Sequence, residues 1–162
     1  MMNSRARLIT EIALLAAVIS ITGMIKIPLG FPGTEFQFSA PVAVVIMSVF
    51  GFKKYFTAGV ISSTILFLLG MHNIINVAVA MIFRLVVGAI IAGFGRNIIA
   101  ISISGPIAVL TSRFILSKVL GVPYITLILG SLPGIVITLL ISYPMYKVVL
   151  KTLEGRKVVA VE

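Results

Sequence analysis

The sequence predicts an all-α, polytopic membrane protein with six transmembrane helices. Hydrophobic residues make up 60% of the 162-residue chain and charged residues only 10%, and the mean hydropathy is +1.24. Soluble domains carry about 25% charged residues, because they must cover a surface that faces water. Lipid is therefore expected to cover most of this chain.

Apolar runs separated by charges and turn-forming residues define the predicted helices. Lys53 and Lys54 divide the second run from the third, because one span of roughly thirty residues would exceed a hydrocarbon core about 30 Å thick. We predict a single transmembrane domain over residues 1–162, with an outer lid loop at 26–37. The six helices are expected at residues 8–25, 38–52, 55–69, 74–94, 98–116 and 125–146.

The distribution of basic residues predicts the orientation. If both termini are cytoplasmic, only Lys26 and Lys118 lie on the outer side. Connections rich in Lys and Arg normally remain in the cytoplasm. An even number of helices therefore agrees with the charge pattern. The inner side would carry Arg5, Arg7, Lys53, Lys54, Arg96, Lys147, Lys151, Arg156 and Lys157.

Arg84, near the middle of the fourth apolar run, is the first candidate for ligand binding. A cation at membrane depth costs roughly 2.5 to 3.5 kcal/mol, so it normally faces a protein interior or a wet cavity. Asn73, Asn76, Ala80 and Arg84 recur at a spacing of three or four residues, which places them on one helix face. His72 is expected at the mouth of this face, and Arg113 brings a second cation to the same outer half.

A guanidinium group offers a planar fork of donors that suits a carboxylate or a phosphate. The pattern therefore indicates a ligand with an anionic group. Other roles remain open for these residues: Arg84 can bond helix-end carbonyls or Glu35, Arg113 can snorkel to the interface, and His72 can be an ordinary loop residue.

The outer loop combines prolines and glycines with side chains that can contact a ligand. Phe31 and Phe36 can stack on a flat molecule, while Glu35 and Gln37 can hydrogen-bond it. The loop is thus predicted to act as a lid. The alternative is an interfacial loop whose aromatic rings lie among the lipid headgroups.

Several function classes are not supported by the composition. The chain has no cysteine, one histidine and four acidic residues, so we expect no metal site and no cofactor. We see no pair of acids and no nucleophile with its base, which argues against an enzyme. The net charge of +9 is scattered between apolar runs, so nucleic acid is not an expected partner. No phosphate-binding loop for ATP is present.

Ala13 and Ala17 lie one turn apart on the first helix and give it a smooth face. Such a face either docks another membrane protein or packs inside the monomer. The chain combines this alanine pair with six short helices, cytoplasmic termini and a long outer loop before Phe38. In this combination it resembles the substrate-binding S component of an energy-coupling factor (ECF) transporter.

The resemblance implies a function and a set of partners. An S component in the plasma membrane of a prokaryote captures a vitamin, a vitamin precursor or a related metabolite from outside. A transmembrane coupling protein and two ATPase subunits then drive its release inward, and Ala13 and Ala17 would contact the coupling protein. The ligand stays open between a thiamine precursor, tryptophan and an acidic vitamin. The rival interpretations are a ligand-free structural or assembly subunit and a small self-contained channel or carrier.

Overall fold

The computed structural model describes residues 4–28 and 35–155. Within these residues the chain forms six helices and two short strands, so the all-helical prediction is confirmed for the body of the protein and a small hairpin is added to it. The helices are α1 (Ser4–Met24), α2 (Ser39–Phe50), α3 (Phe52–Leu68), α4 (Ile74–Phe94), α5 (Ile98–Leu120) and α6 (Tyr124–Gly155).

Helix length distinguishes two groups. Among the described residues, four helices are long and apolar enough to cross a membrane: Arg5–Met24, Ile74–Phe94, Ile98–Leu120 and Tyr124–Gly155. The remaining two are shorter, with 12 residues in α2 and 17 in α3. At a rise of about 1.5 Å per residue, α2 reaches only about 18 Å. The structure has the features of a multi-pass membrane protein, although length alone supports four spans.

Helix α2 lies at the centre of the bundle. Residues 41–49 are all buried, and α2 packs against each of the other five helices. A helix that is hydrophobic on every side is normally enclosed by protein or by lipid. Here protein encloses it, since the surrounding helices place their exposed apolar side chains on the outer surface.

A two-stranded antiparallel hairpin occupies the ends of the predicted lid loop. Strand β1 (Lys26–Pro28) pairs with β2 (Glu35–Gln37), and Ile27 stands opposite Phe36. Strand β2 contacts α1 and α6. Residues 29–34, including Phe31, lie outside the described part of the chain, as do the side chains of both strands.

The connections between helices follow local sequence signals. Gly51 alone separates α2 from α3 and has a φ of 80°, a left-handed conformation that glycine adopts without a steric penalty. Asn73 and Asn97 precede α4 and α5, and each side chain accepts a hydrogen bond from a backbone N–H in the first turn. Asparagine is a favoured residue at this N-cap position.

An ion-pair cluster joins the N-terminal part of α1 to the start of α3. Glu11 Oε1 accepts a hydrogen bond from Arg7 Nε at 3.1 Å, and Glu11 Oε2 accepts one from Lys54 Nζ at 2.8 Å. All three side chains are partly exposed. The contact between Glu11 and Lys54 therefore fixes the two helices at one end of their shared interface.

Candidate ligand-binding site

A cavity of about 190 Å³ lies inside the bundle, with lining residues from all six helices and from the connection before α4. Water occupies about 30 Å³ per molecule in the liquid, so the cavity has room for a small metabolite. Its wall combines aliphatic residues with polar ones such as Ser39, Ser131 and Thr138, and its charged groups are Arg84 and Arg113. The cavity therefore has a mixed polar and aliphatic wall with two positive charges, a composition suited to a small anion.

Arg84 lies on α4 at the edge of this cavity with only 6% of its surface exposed. Its Nη1 donates a hydrogen bond to Ser63 Oγ at 2.9 Å and lies 3.6 Å from Met81 Sδ. Both partners are neutral. Neither Glu11 nor Glu154, the acidic residues whose side chains the structure describes, pairs with Arg84, so among these side chains its remaining donors are left for an anion in the cavity.

Helix α3 supplies the surface on which Arg84 rests. A Cβ atom at Gly59 would collide with Nε, Cδ and Cζ of Arg84, so the arginine stem passes directly over the glycine backbone. Tyr55, Gly59 and Ser63 follow one another at a spacing of four residues, which places them on one face of the helix. Each of the three thus contributes to the surroundings of the same guanidinium.

Tyr55 was not among the residues predicted from the sequence. It is fully buried, lines the cavity, and its hydroxyl has no hydrogen-bond partner in the described structure. Leaving a buried hydroxyl without a partner costs about 1 to 3 kcal/mol. Such a group adjoining a cavity is suited to a polar atom of a ligand or to a bound water.

Three further predicted residues line the same cavity. Arg113 on α5 is half-buried and forms no hydrogen bond or ion pair with any side chain that the structure describes. Asn76 lies on the first turn of α4 and His72 in the connection before it. Asn76 and His72 therefore place polar side chains on the part of the wall that the start of α4 contributes.

The other predicted contact residues have different positions. Asn73 does not line the cavity, because its Oδ1 accepts the backbone N–H of Asn76 at 2.8 Å and caps α4. The regular spacing of Asn73 and Asn76 is therefore explained by helix initiation. Glu35, Phe36 and Gln37 form β2, and their side chains fall outside the described structure.

Comparison with known proteins places the chain in a family. It is 51% identical over 139 residues to Protein BioX of Lysinibacillus sphaericus, and the match covers 86% of this chain and 84% of that protein. The chain belongs to the BioX family. No family model matches it. No solved structure matches it.

This BioX-family chain has a second surface of interest on the outside of α1 and α3. Ala13 and Ala17 are exposed and lie in an apolar groove. The groove lies between α1 and α3, and both alanines are exposed in the described structure. Its other lining residues are Ile9, Ile12, Ala16, Thr57, Ile61 and Ile65.

Proposed function

We propose that this protein is the S component of an ECF-type importer and that it binds a small, anionic, biotin-related metabolite. The observation that carries the proposal is Arg84, a buried cation beside a cavity with only neutral partners. Membership of the BioX family supports the biotin-related class through the name of the relative. The resemblance in helix number and in the Ala13–Ala17 pair supports the importer class.

In the proposed topology all six helices cross or enter the bilayer, and both termini are cytoplasmic. The inner side then carries the ion-pair cluster of Glu11 and Lys54 together with the exposed Arg96. The β-hairpin and His72 lie on the outer side. The cavity accordingly opens toward the exterior of a bacterial plasma membrane, where a scavenged metabolite arrives.

The lining of the cavity favours an acid over the other candidate ligands. Tyr55, Phe83 and the imidazole of His72 are the aromatic rings among the described lining residues, so little surface is available to stack a thiazole or an indole. The cavity is also smaller than the roughly 300 to 1,000 Å³ of typical drug-sized sites. A compact carboxylate with an aliphatic body fits this chemistry best.

The groove at Ala13 and Ala17 is the proposed docking surface for the coupling protein. Small residues allow two membrane helices to approach closely, which increases their van der Waals contact. Two ATPase subunits would bind that coupling protein and supply the energy for release. In this proposal the chain itself is not an enzyme.

Mass spectrometry of the purified protein tests the proposal. The protein is extracted in mild detergent and denatured, and the small molecules released are identified and quantified. We expect one organic acid in a stoichiometric amount. In proteoliposomes, uptake of that acid is expected only when the coupling protein and the ATPases are present together with ATP.

Two results would contradict the proposal. Uptake in vesicles that contain this chain alone would identify a self-contained carrier. A protein that releases no small molecule and binds none that is added would indicate a structural subunit, in which Arg84 serves only to join α4 to α3.

A further inference from the structure

The cavity contains two cations, and their charges are not balanced by the described residues that line it. Arg84 contacts Ser63 and Met81, which are neutral. Arg113 has no hydrogen-bonding or charged partner among the side chains that the structure describes, which exclude those of both strands. Each guanidinium keeps its charge at physiological pH. The described lining therefore carries two positive charges.

The acidic residues with described side chains are located elsewhere. Glu11 is bonded to Arg7 and Lys54, and Glu154 is exposed near the end of α6. Neither belongs to the cavity lining. Neutralisation of Arg84 and Arg113 by these two carboxylates is therefore excluded by position.

The two arginines lie at similar depths in the fold. Helices α4 and α5 pack together and are joined by residues 95–97, so they run antiparallel, and the Ile74 end of α4 lies beside the Leu120 end of α5. At about 1.5 Å per residue, Arg84 lies about 15 Å and Arg113 about 10 Å from this shared end. One small ligand can therefore approach both guanidinium groups.

Partial burial makes unbalanced charges costly. Removing an ion from water costs several kcal/mol, and nearby like charges repel each other. A monoanion balances one guanidinium and leaves the second unpaired, whereas a dianion balances both. We propose that the ligand of this cavity is a dianion that binds Arg84 and Arg113 together.

This inference rests on the proposed function and narrows its ligand class. The dianion is either a molecule with two separate carboxylates or one with a single phosphoryl group, and both provide the charge that the arginines require. Phe83, Val109 and Leu116 contribute apolar wall to the same cavity. The remainder of the ligand is accordingly expected to be largely aliphatic.

Binding measurements on the intact protein in nanodiscs test the charge requirement. The probes are α,ω-dicarboxylates from succinate to sebacate, the monomethyl ester of each, inorganic phosphate and biotin. We expect the best dicarboxylate to bind about 10- to 100-fold more tightly than its own monomethyl ester, the factor expected for one hydrogen bond to a charged group. If phosphate binds and the dicarboxylates do not, the dianion is a phosphoryl compound, and the charge requirement is equally met.

Single charge deletions provide a second measurement. Arg113→Gln should bring the ratio between diacid and monoester close to one, while Lys118→Gln, which removes an exposed cation of the same helix outside the cavity, should leave the ratio unchanged. The comparison of acid with ester on the unmodified protein needs no variant, so it remains decisive if Arg113→Gln fails to fold.

The failures of the two proposals can be distinguished. Equal affinity for a diacid and its monoester, or tight binding of biotin while every dianion fails, would overturn the dianion and leave the S-component function intact. If the protein neither releases a small molecule on denaturation nor binds any probe, the proposed function fails and the dianion fails with it.

Discussion

The side chain of Arg84 lies across the backbone of Gly59, in the space that any larger residue would fill. This contact lets the guanidinium reach Ser63 on the same face of α3, where it donates a hydrogen bond at 2.9 Å. Glycine at position 59 thus determines how closely the Arg84 side chain of α4 can approach α3.

Gly59→Ala should weaken ligand binding by about tenfold or more, because a displaced guanidinium loses the alignment on which a charge-assisted hydrogen bond depends. Isothermal titration with the co-purified acid measures the effect. Gly93→Ala is the matched control, since a Cβ there meets no atom within 4 Å. The control should bind normally, and equal losses in both variants would show that the contact with Arg84 is unimportant.

Arg84→Gln should reduce affinity by about 2 to 5 kcal/mol, the usual cost of removing one member of a buried charge pair. The melting temperature without ligand should stay the same or rise, because an unbalanced buried cation is removed. Fluorescence-detected thermal unfolding checks the second expectation. Arg96→Gln removes an exposed cation and should change neither quantity. A large loss of stability in Arg84→Gln would instead assign the arginine a structural role.

Tyr55→Phe should separate binding from stability. The Tyr55 hydroxyl has no described hydrogen-bond partner, so its removal should keep or increase the stability of the ligand-free protein, while affinity falls by a few-fold to about tenfold. Tyr124→Phe is the control, because the Tyr124 hydroxyl donates to the carbonyl of Leu110 at 3.3 Å. That control should lose stability and keep its affinity. The reverse pattern would remove Tyr55 from the site.

Ala17→Trp should block association with the coupling protein without changing ligand affinity, because a bulky ring would fill the groove on α1. Co-purification with the coupling protein and binding of the acid are measured on the same samples. Leu14→Trp provides the comparison, since Leu14 is 63% exposed and lies outside the groove. Normal association of Ala17→Trp would show that docking occurs elsewhere.

Glu11→Gln should lower the free energy of unfolding by about 0.5 to 1 kcal/mol, since partly exposed ion pairs contribute little individually. The loss should shrink at high salt, which screens such pairs. Unfolding in low and high salt measures this dependence, with the exposed Glu154→Gln as the comparison. A loss that does not respond to salt would mean that packing, rather than charge, is altered.

Arg84 and Arg113 could be predicted from the sequence as candidate ligand-binding residues, because a cation within an apolar run is energetically unfavourable unless it faces protein or a wet cavity. Tyr55 and Gly59 gave no comparable signal, since aromatic residues and glycines are common in membrane helices. Their importance depends on which face of α3 meets Arg84, and that is a property of the packed bundle. A contact between two helices cannot be read from the composition of either one.

The sequence likewise predicted some helix bounds well and others poorly. Charges and glycines located the connections closely, but hydropathy does not distinguish a helix enclosed by lipid from one enclosed by protein. Helix α2 was consequently expected to cross the membrane as the others do, whereas it is short and central. Helix α6 continues to Gly155, beyond the predicted bound at residue 146. A helix can extend into water past the end of its apolar run, because its backbone bonds are satisfied internally.

The brevity of α2 has a consequence for how the bundle is filled. The first residues of α2 border the cavity, namely Ser39, Ala40 and Ala43. The cavity therefore occupies the space that α2 would fill if it began earlier in the chain. A bound solute would then fill the space beyond the start of α2 and would pack against the surrounding helices as additional turns of α2 would. Loading and unloading would thereby alter the support available to every helix around it.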